Sequence, residues 1–250
     1  MKISFSKNNW FAIAGIIIMI LIWEILSRNL GSRNILPGPW FTLNTLISLL
    51  GEASFYKSLG ATLLRGLIGF LLAIIVSLLI GIPSGLNKKA EAFFSPFLVT
   101  IRSTPVISII LLAIIWLRVE KVPVFIGFIT MFPILSTNLS AGIKEVDKGL
   151  LEMAQIYKVK TWRIFSDIYL PSISPFLFSG LLTSVGFGWR AVIIGEVLSQ
   201  PKYGIGSMMQ DAQSYLLVAE LISWTLVAVV IGFIFEKSLT SIGEKTTKWK

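Results

Sequence analysis

Residues 59–82 read LGATLLRGLIGFLLAIIVSLLIGI, with Arg65 the one charged side chain in the run. A helix needs about 20 apolar residues to cross the ~30 Å hydrocarbon core of a bilayer, and this run meets that length. Hydrocarbon offers no partner to a backbone N–H or C=O, so a spanning segment is a helix or a strand of a closed barrel. Barrel strands alternate apolar and polar residues, whereas this run is continuously apolar. The stretch therefore predicts a transmembrane helix.

Five further runs have the same character: Trp10 to Leu26, Phe93 to Leu117, Val122 to Ala141, Pro175 to Ser199 and Tyr215 to Phe235. The 250-residue chain is 54% hydrophobic and 14% charged, with a mean hydropathy of +0.81. Together these predict an all-α, polytopic membrane protein of six spans, built as one domain over residues 1–250. The first span follows Lys2 and Lys7 as a signal peptide would, but Ser27-Arg28-Asn29 supplies no small-residue cleavage site, so it reads as a retained helix. Between the first two spans, Leu36-Pro37-Gly38-Pro39 precedes Phe41, Leu43, Leu46, Ile47 and Leu50, a turn followed by a short interfacial helix.

The 22 Lys and Arg side chains fall mainly between the spans. With both termini inside, thirteen lie on the cytoplasmic side and six on the outer side, so positive charge fixes the N-terminus in the cytoplasm. The net charge of +9 thus reflects membrane orientation and gives no reason to expect nucleic acid as a partner. Cys and His are absent, as are a phosphate loop and a nucleophile elbow. No catalytic residue, metal site or cofactor is expected in the chain itself.

One segment breaks the apolar pattern: Glu152 to Pro171, EMAQIYKVKTWRIFSDIYLP. Met153, Ile156 and Tyr157, then Trp162, Phe165 and Ile168, recur at helical spacing, which predicts two short amphipathic helices bent at Lys158-Val159-Lys160. Thr161 is placed to cap the second helix, and Leu170-Pro171 to end it. Such a segment can lie in the headgroup layer or dock on another protein, and the spacing alone leaves both open.

The order Glu152, Ala154, Ile168, Leu170, Pro171 resembles the EAA signature of bacterial ABC importer permeases, with Met153 at its first Ala and Lys158 at its Gly. Ile35 to Pro39, Leu64-Arg65-Gly66 through Pro83, Ile101 to Pro105, and Gly188-Trp189-Arg190-Ala191 to Glu196 resemble the nitrate/sulfonate/taurine branch of that family. The resemblance implies a type I importer permease in the bacterial inner membrane. It implies a cytoplasmic coupling loop at about 142–172, with Glu152, Met153, Ala154, Lys158, Leu170 and Pro171 facing an ATPase dimer that binds ATP and Mg. It further implies a second permease copy, an extracytoplasmic substrate-binding protein, and a small anionic or organic substrate such as a sulfonate, nitrate, bicarbonate or a vitamin precursor. The main alternative is an ion-coupled secondary transporter, but Glu24 and Glu196, acids within spans, both lie near outer ends.

Charge inside the membrane marks candidate function. In a straight span starting at Phe93, Arg102 would lie ~14 Å deep, beside the helix-breaking Pro105, either lining a cavity or bracing the break. Arg102 and Pro105, with Trp189 and Arg190 nearer the outer mouth, are the expected translocation path. Arg65 and Glu196 are expected to pair between helices, as a structural ion pair rather than a substrate site.

Overall fold

The computed structural model describes residues 7–32 and 35–246. Lys2, Arg33, Lys248 and Lys250, which enter the charge count, lie outside the described residues. Every regular element among the described residues is helical.

Helices α1 (Lys7–Leu30), α3 (Ala53–Leu86), α6 (Val122–Lys144), α9 (Leu170–Ser199) and α11 (Val218–Thr246) carry the five bilayer-length apolar runs. Between α1 and α3, Gly38 caps α2 (Pro39–Leu50) and Pro39 takes its first turn, where a missing N–H costs nothing. The indole N–H of Trp23 donates to the Pro37 carbonyl at 3.0 Å and the Ser27 hydroxyl to that of Leu36 at 2.8 Å, tying α1 to the turn before α2. The rest of the described α1 surface is exposed, as suits a helix surrounded by lipid.

The sixth run differs from expectation. Instead of one straight span over Phe93 to Leu117, the chain forms α4 (Lys88–Ser103) and α5 (Val106–Trp116), bent by 96° at Thr104-Pro105. Pro105 has no N–H to continue the α4 ladder, and its ring forces Thr104 into an extended conformation. At ~1.5 Å per residue α5 is about 16 Å long, too short to cross alone. The depth assigned to Arg102 from a straight helix is therefore replaced by its position at a break.

The centre of the fold is a layer of α3, α6 and α9. Along α3 the buried positions Gly69, Ala73, Ser77 and Gly81 are all small, and they let α6 approach to backbone contact. A Cβ on Gly69 would stand 2.9 Å from the Val124 carbonyl oxygen, and one on Gly188 of α9 would stand 2.3 Å from Met131 Sδ. The large residues of α3, Leu64, Leu67, Leu71, Leu78 and Leu79, point outward to where lipid tails lie.

α10 (Ile205–Ser214) is a helix in the connection between the last two apolar runs, where the sequence predicts no regular element. Met208 and Met209 on it pack against a cluster containing Phe55, Trp189 and Trp224.

Candidate coupling loop and translocation cavities

The loop between α6 and α9 folds from its own sequence. Asp147 caps α7 (Lys148–Ile156), its Oδ1 accepting from the Gly149 amide at 2.7 Å. At the far end Lys158 has φ +50°, the Val159 amide donates to the Ala154 carbonyl at 2.9 Å, and the Lys158 amide to that of Gln155 at 3.0 Å. This is the paired hydrogen-bond pattern by which helices end on a left-handed residue, a place usually given to Gly. The bend expected at Lys158-Val159-Lys160 is present, and it keeps the left-handed geometry with Lys158 in place.

Two details differ from expectation. Lys160 precedes α8 (Thr161–Ile164) in the capping position and no side chain caps it, so Thr161 is its first residue instead of its cap. Leu170-Pro171 does not end the helix either. A π-helical turn, Phe165–Tyr169, joins α8 to α9, with the Leu170 amide donating to the Phe165 carbonyl. In a regular α-helix the ring of Pro171 would collide with the Asp167 carbonyl four residues back, and a wider turn relieves that clash without a break. Helical winding is thus continuous from Thr161 to Ser199.

The loop presents apolar side chains outward: Ile156 is 78% exposed, Tyr157 77% and Trp162 74%, with Met153 and Phe165 also exposed. Glu152, Lys158, Leu170 and Pro171 are exposed as well. Ala154 is not, at 3%, so it supports the bend from beneath and does not belong to the outer face.

At the opposite end of α9, Glu196 is fully buried. Arg65 Nη1 donates to Glu196 Oε1 at 2.7 Å and to the Tyr203 carbonyl at 2.6 Å, while Nη2 pairs with Glu120 just before α6. Thr62 Oγ1 donates to the same carboxylate and accepts from the Ile205 amide at 2.8 Å, and the Gly206 amide donates to Glu196 Oε2 at 3.0 Å. A Cβ on Gly206 would stand 2.4 Å from the Ile193 carbonyl, so only Gly lets the N-terminus of α10 come this close. The expected Arg65–Glu196 pair exists, and its partners are all protein groups. A buried carboxylate needs such saturation, because one without donors is costly.

Arg102 is exposed at the end of α4 and lines two cavities. One, about 600 Å³, lies between α4, α5, α6 and α9 and carries Thr104, Thr130, Asn138 and Thr183. The other, about 310 Å³, lies between α3, α4 and α6. Pro105 sets the bend that turns α5 along this wall. Arg190 is exposed in a third cavity of about 610 Å³ between α9 and α11. The structure does not bring Arg102 and Arg190 to one cavity of this chain, although Thr183 and Phe187 border both of their cavities. Trp189 borders the Arg190 cavity but is mostly packed: it is 8% exposed, its indole N–H donates to the Ala228 carbonyl at 3.0 Å, and its ring meets Phe235 edge to face.

Bilayer-length helices, a broken helix beside polar cavities, and one helical loop outside the bundle define a membrane permease. The chain belongs to the family of binding-protein-dependent transport system inner membrane components, whose pattern matches residues 73–242. It is 27% identical over 237 residues to the putative aliphatic sulfonates transport permease protein SsuC of Bacillus subtilis, covering 93% of this chain and 85% of that one. It is 23% identical over 239 residues to the taurine transport system permease protein TauC of Escherichia coli, covering 93% and 86%. The bicarbonate transport system permease protein CmpB of Synechococcus elongatus is 26% identical over 239 residues, covering 90% and 84%. In fold it resembles a chain of the MetNI methionine ABC transporter in an inward-facing conformation, with a TM-score of 0.61 at 17% identity over 77% of this chain and 94% of that one. The chain is a permease subunit of an ABC importer, with the type I fold.

Proposed function

We propose that this permease forms the path for a small oxyanionic solute, a sulfonate or a carboxylate-like anion, and couples that path to a separate ATPase through residues 142–172. The carrying observation is the loop: exposed Ile156, Tyr157 and Trp162 on a rigidly bent pair of helices, the second of which winds without interruption into α9. An apolar face on a cytoplasmic loop fits a protein groove, and the EAA-like order of Glu152, Leu170 and Pro171 favours the ATPase as its occupant. ATP and Mg belong to that partner. The anionic substrate class draws support from the relatives and from Arg102 and Arg190, whose planar guanidinium groups suit oxyanions. Two copies of this chain pair around the path, both termini lie in the cytoplasm, and a binding protein delivers solute to the outer face.

The test separates docking from folding. Ile156→Asp and Trp162→Asp put a charge on the exposed face, with a docking penalty of about 1–3 kcal/mol if the charge is desolvated. Both variants are expected to insert normally but to co-purify with little ATPase. Ala154→Asp buries a charge within the bend and is expected to damage the loop itself. ATPase recovered at wild-type yield with both surface variants would end the docking proposal.

A further inference from the structure

We propose that the cavity between α3, α4 and α6 is an inner oxyanion site with Arg102 at its deep end, closed on the cytoplasmic side by the Glu91–Lys144 ion pair. The proposal deepens the importer reading above and rests on it for direction of flow.

Arg102 and Thr137 line both this cavity and the larger one beside α5, so they stand where the two meet. Arg102 makes no ion pair or hydrogen bond with the described residues, although a guanidinium carries five donors. Ser84 also lines the inner cavity; its hydroxyl is buried, the residue is 4% exposed, and no protein group satisfies it. The hydroxyls of Ser136 and Thr137 already donate to the carbonyls of their own helix. An oxyanion entering here would accept from Arg102 and, further along the same wall, from Ser84. A cation would meet the uncompensated guanidinium, and of the two acids on the lining, Glu91 is already paired and Glu145 sits exposed at the rim.

The far end of the cavity is the pair Lys144 Nζ to Glu91 Oε1, 2.5 Å apart, with both side chains partly exposed. Pairs so open to water contribute little, so an arriving oxyanion can replace Glu91 as the partner of Lys144 at small cost. Eleven positions of α4 separate Glu91 from Arg102, about 16 Å of helix rise, which is too far for one small ion to hold both cations. The arrangement is a hand-over: the anion leaves Arg102, reaches Lys144, and in doing so releases α4 from α6.

The chain has no cysteine, so Ser95→Cys places a single thiol on the cavity wall. The full chain in proteoliposomes would be labelled with a sulfonatoethyl and a trimethylammonioethyl methanethiosulfonate, each rate divided by that reagent's rate with free cysteine. A single cation about 4 Å from the reagent's charge predicts about 5-fold or greater preference for the anionic reagent even at the dielectric constant of water. Methanesulfonate is expected to slow that labelling, Arg102→Ala to abolish the preference, Arg102→Lys to retain it, and Glu91→Gln to speed anionic labelling by freeing Lys144. Equal normalised rates in Ser95→Cys, or a preference that survives Arg102→Ala, would overturn the site. Labelling requires no ATPase, so its failure is distinguishable from failure of the docking reading.

Discussion

Arg65 and Glu196, 131 positions apart in the chain, meet at 2.7 Å with the carboxylate wholly shielded from solvent. Through Glu120, Tyr203, Thr62 and Gly206 the same contact joins α3, the turn before α6, α9 and the start of α10. Four segments thus share a single charge network at one end of the bundle.

Glu196→Ala would take the buried carboxylate from Arg65, Thr62 and the Gly206 amide together, leaving Arg65 with Glu120 and the Tyr203 carbonyl. Loss of one partner of a buried pair costs about 3–5 kcal/mol, so thermal unfolding of the purified chain should shift sharply downward. Adding Arg65→Met should recover part of that loss, because the buried guanidinium, left with only the half-exposed Glu120 as counter-charge, is removed too. A Glu196→Ala chain as stable as wild type would show that the network is not holding these segments.

At Lys158 the left-handed backbone predicts an unusual direction of effect. Lys158→Gly should preserve the bend and stabilise it by up to about 1 kcal/mol, since the steric cost of a Cβ at positive φ disappears. Lys158→Val should do the reverse, and Lys158→Pro should break the bend because the ring fixes φ near −65°. Thermal unfolding together with ATPase co-purification would check all three.

Reporter fusions after Lys57, Lys121 and Lys202 should read as outside, and after Lys89, Lys160 and Lys250 as inside. An outside reading at Lys160 would contradict the coupling role, since a cytoplasmic ATPase could not reach the loop.

Pro171→Ala removes the clash that the π turn relieves. If the turn tightens to regular α-helix, the loop rotates relative to α9 by about 100°, one residue of winding. ATPase should still bind at wild-type yield while uptake falls severalfold. Uptake equal to wild type would mean that the angular setting of α8 on α9 does not matter.

The spans were legible because bilayer burial is read from local composition: residues 59–82 needed no neighbour to be assigned. The break at Pro105 was also written locally, although its angle was not. What escaped depends on contacts distant in sequence. α10 is short and polar, and its start is held by Thr62 and Glu196 rather than by propensity. The helix running through Pro171 defeats a rule based on regular α geometry, because the accommodation is a change of helix type. Ala154 lies on the inner side of a bend whose outer face alone shows in the pattern. A signal for the α3–α6 contact was present but unread: small residues at 69, 73, 77 and 81 mark one edge of that helix.

The unbroken winding from Thr161 to Ser199 has a mechanical meaning. Thirty-nine residues give a contour of about 58 Å, against a hydrocarbon core of ~30 Å, so with Ser199 near one boundary most of the excess projects beyond the other, at the loop end. A rod pivoting at mid-bilayer then has unequal arms, roughly three to one by these lengths. Under the coupling proposed above, motion imposed on the loop would reach the Glu196 end reduced in amplitude and correspondingly increased in force, the gearing suited to prising at a saturated ion-pair cluster.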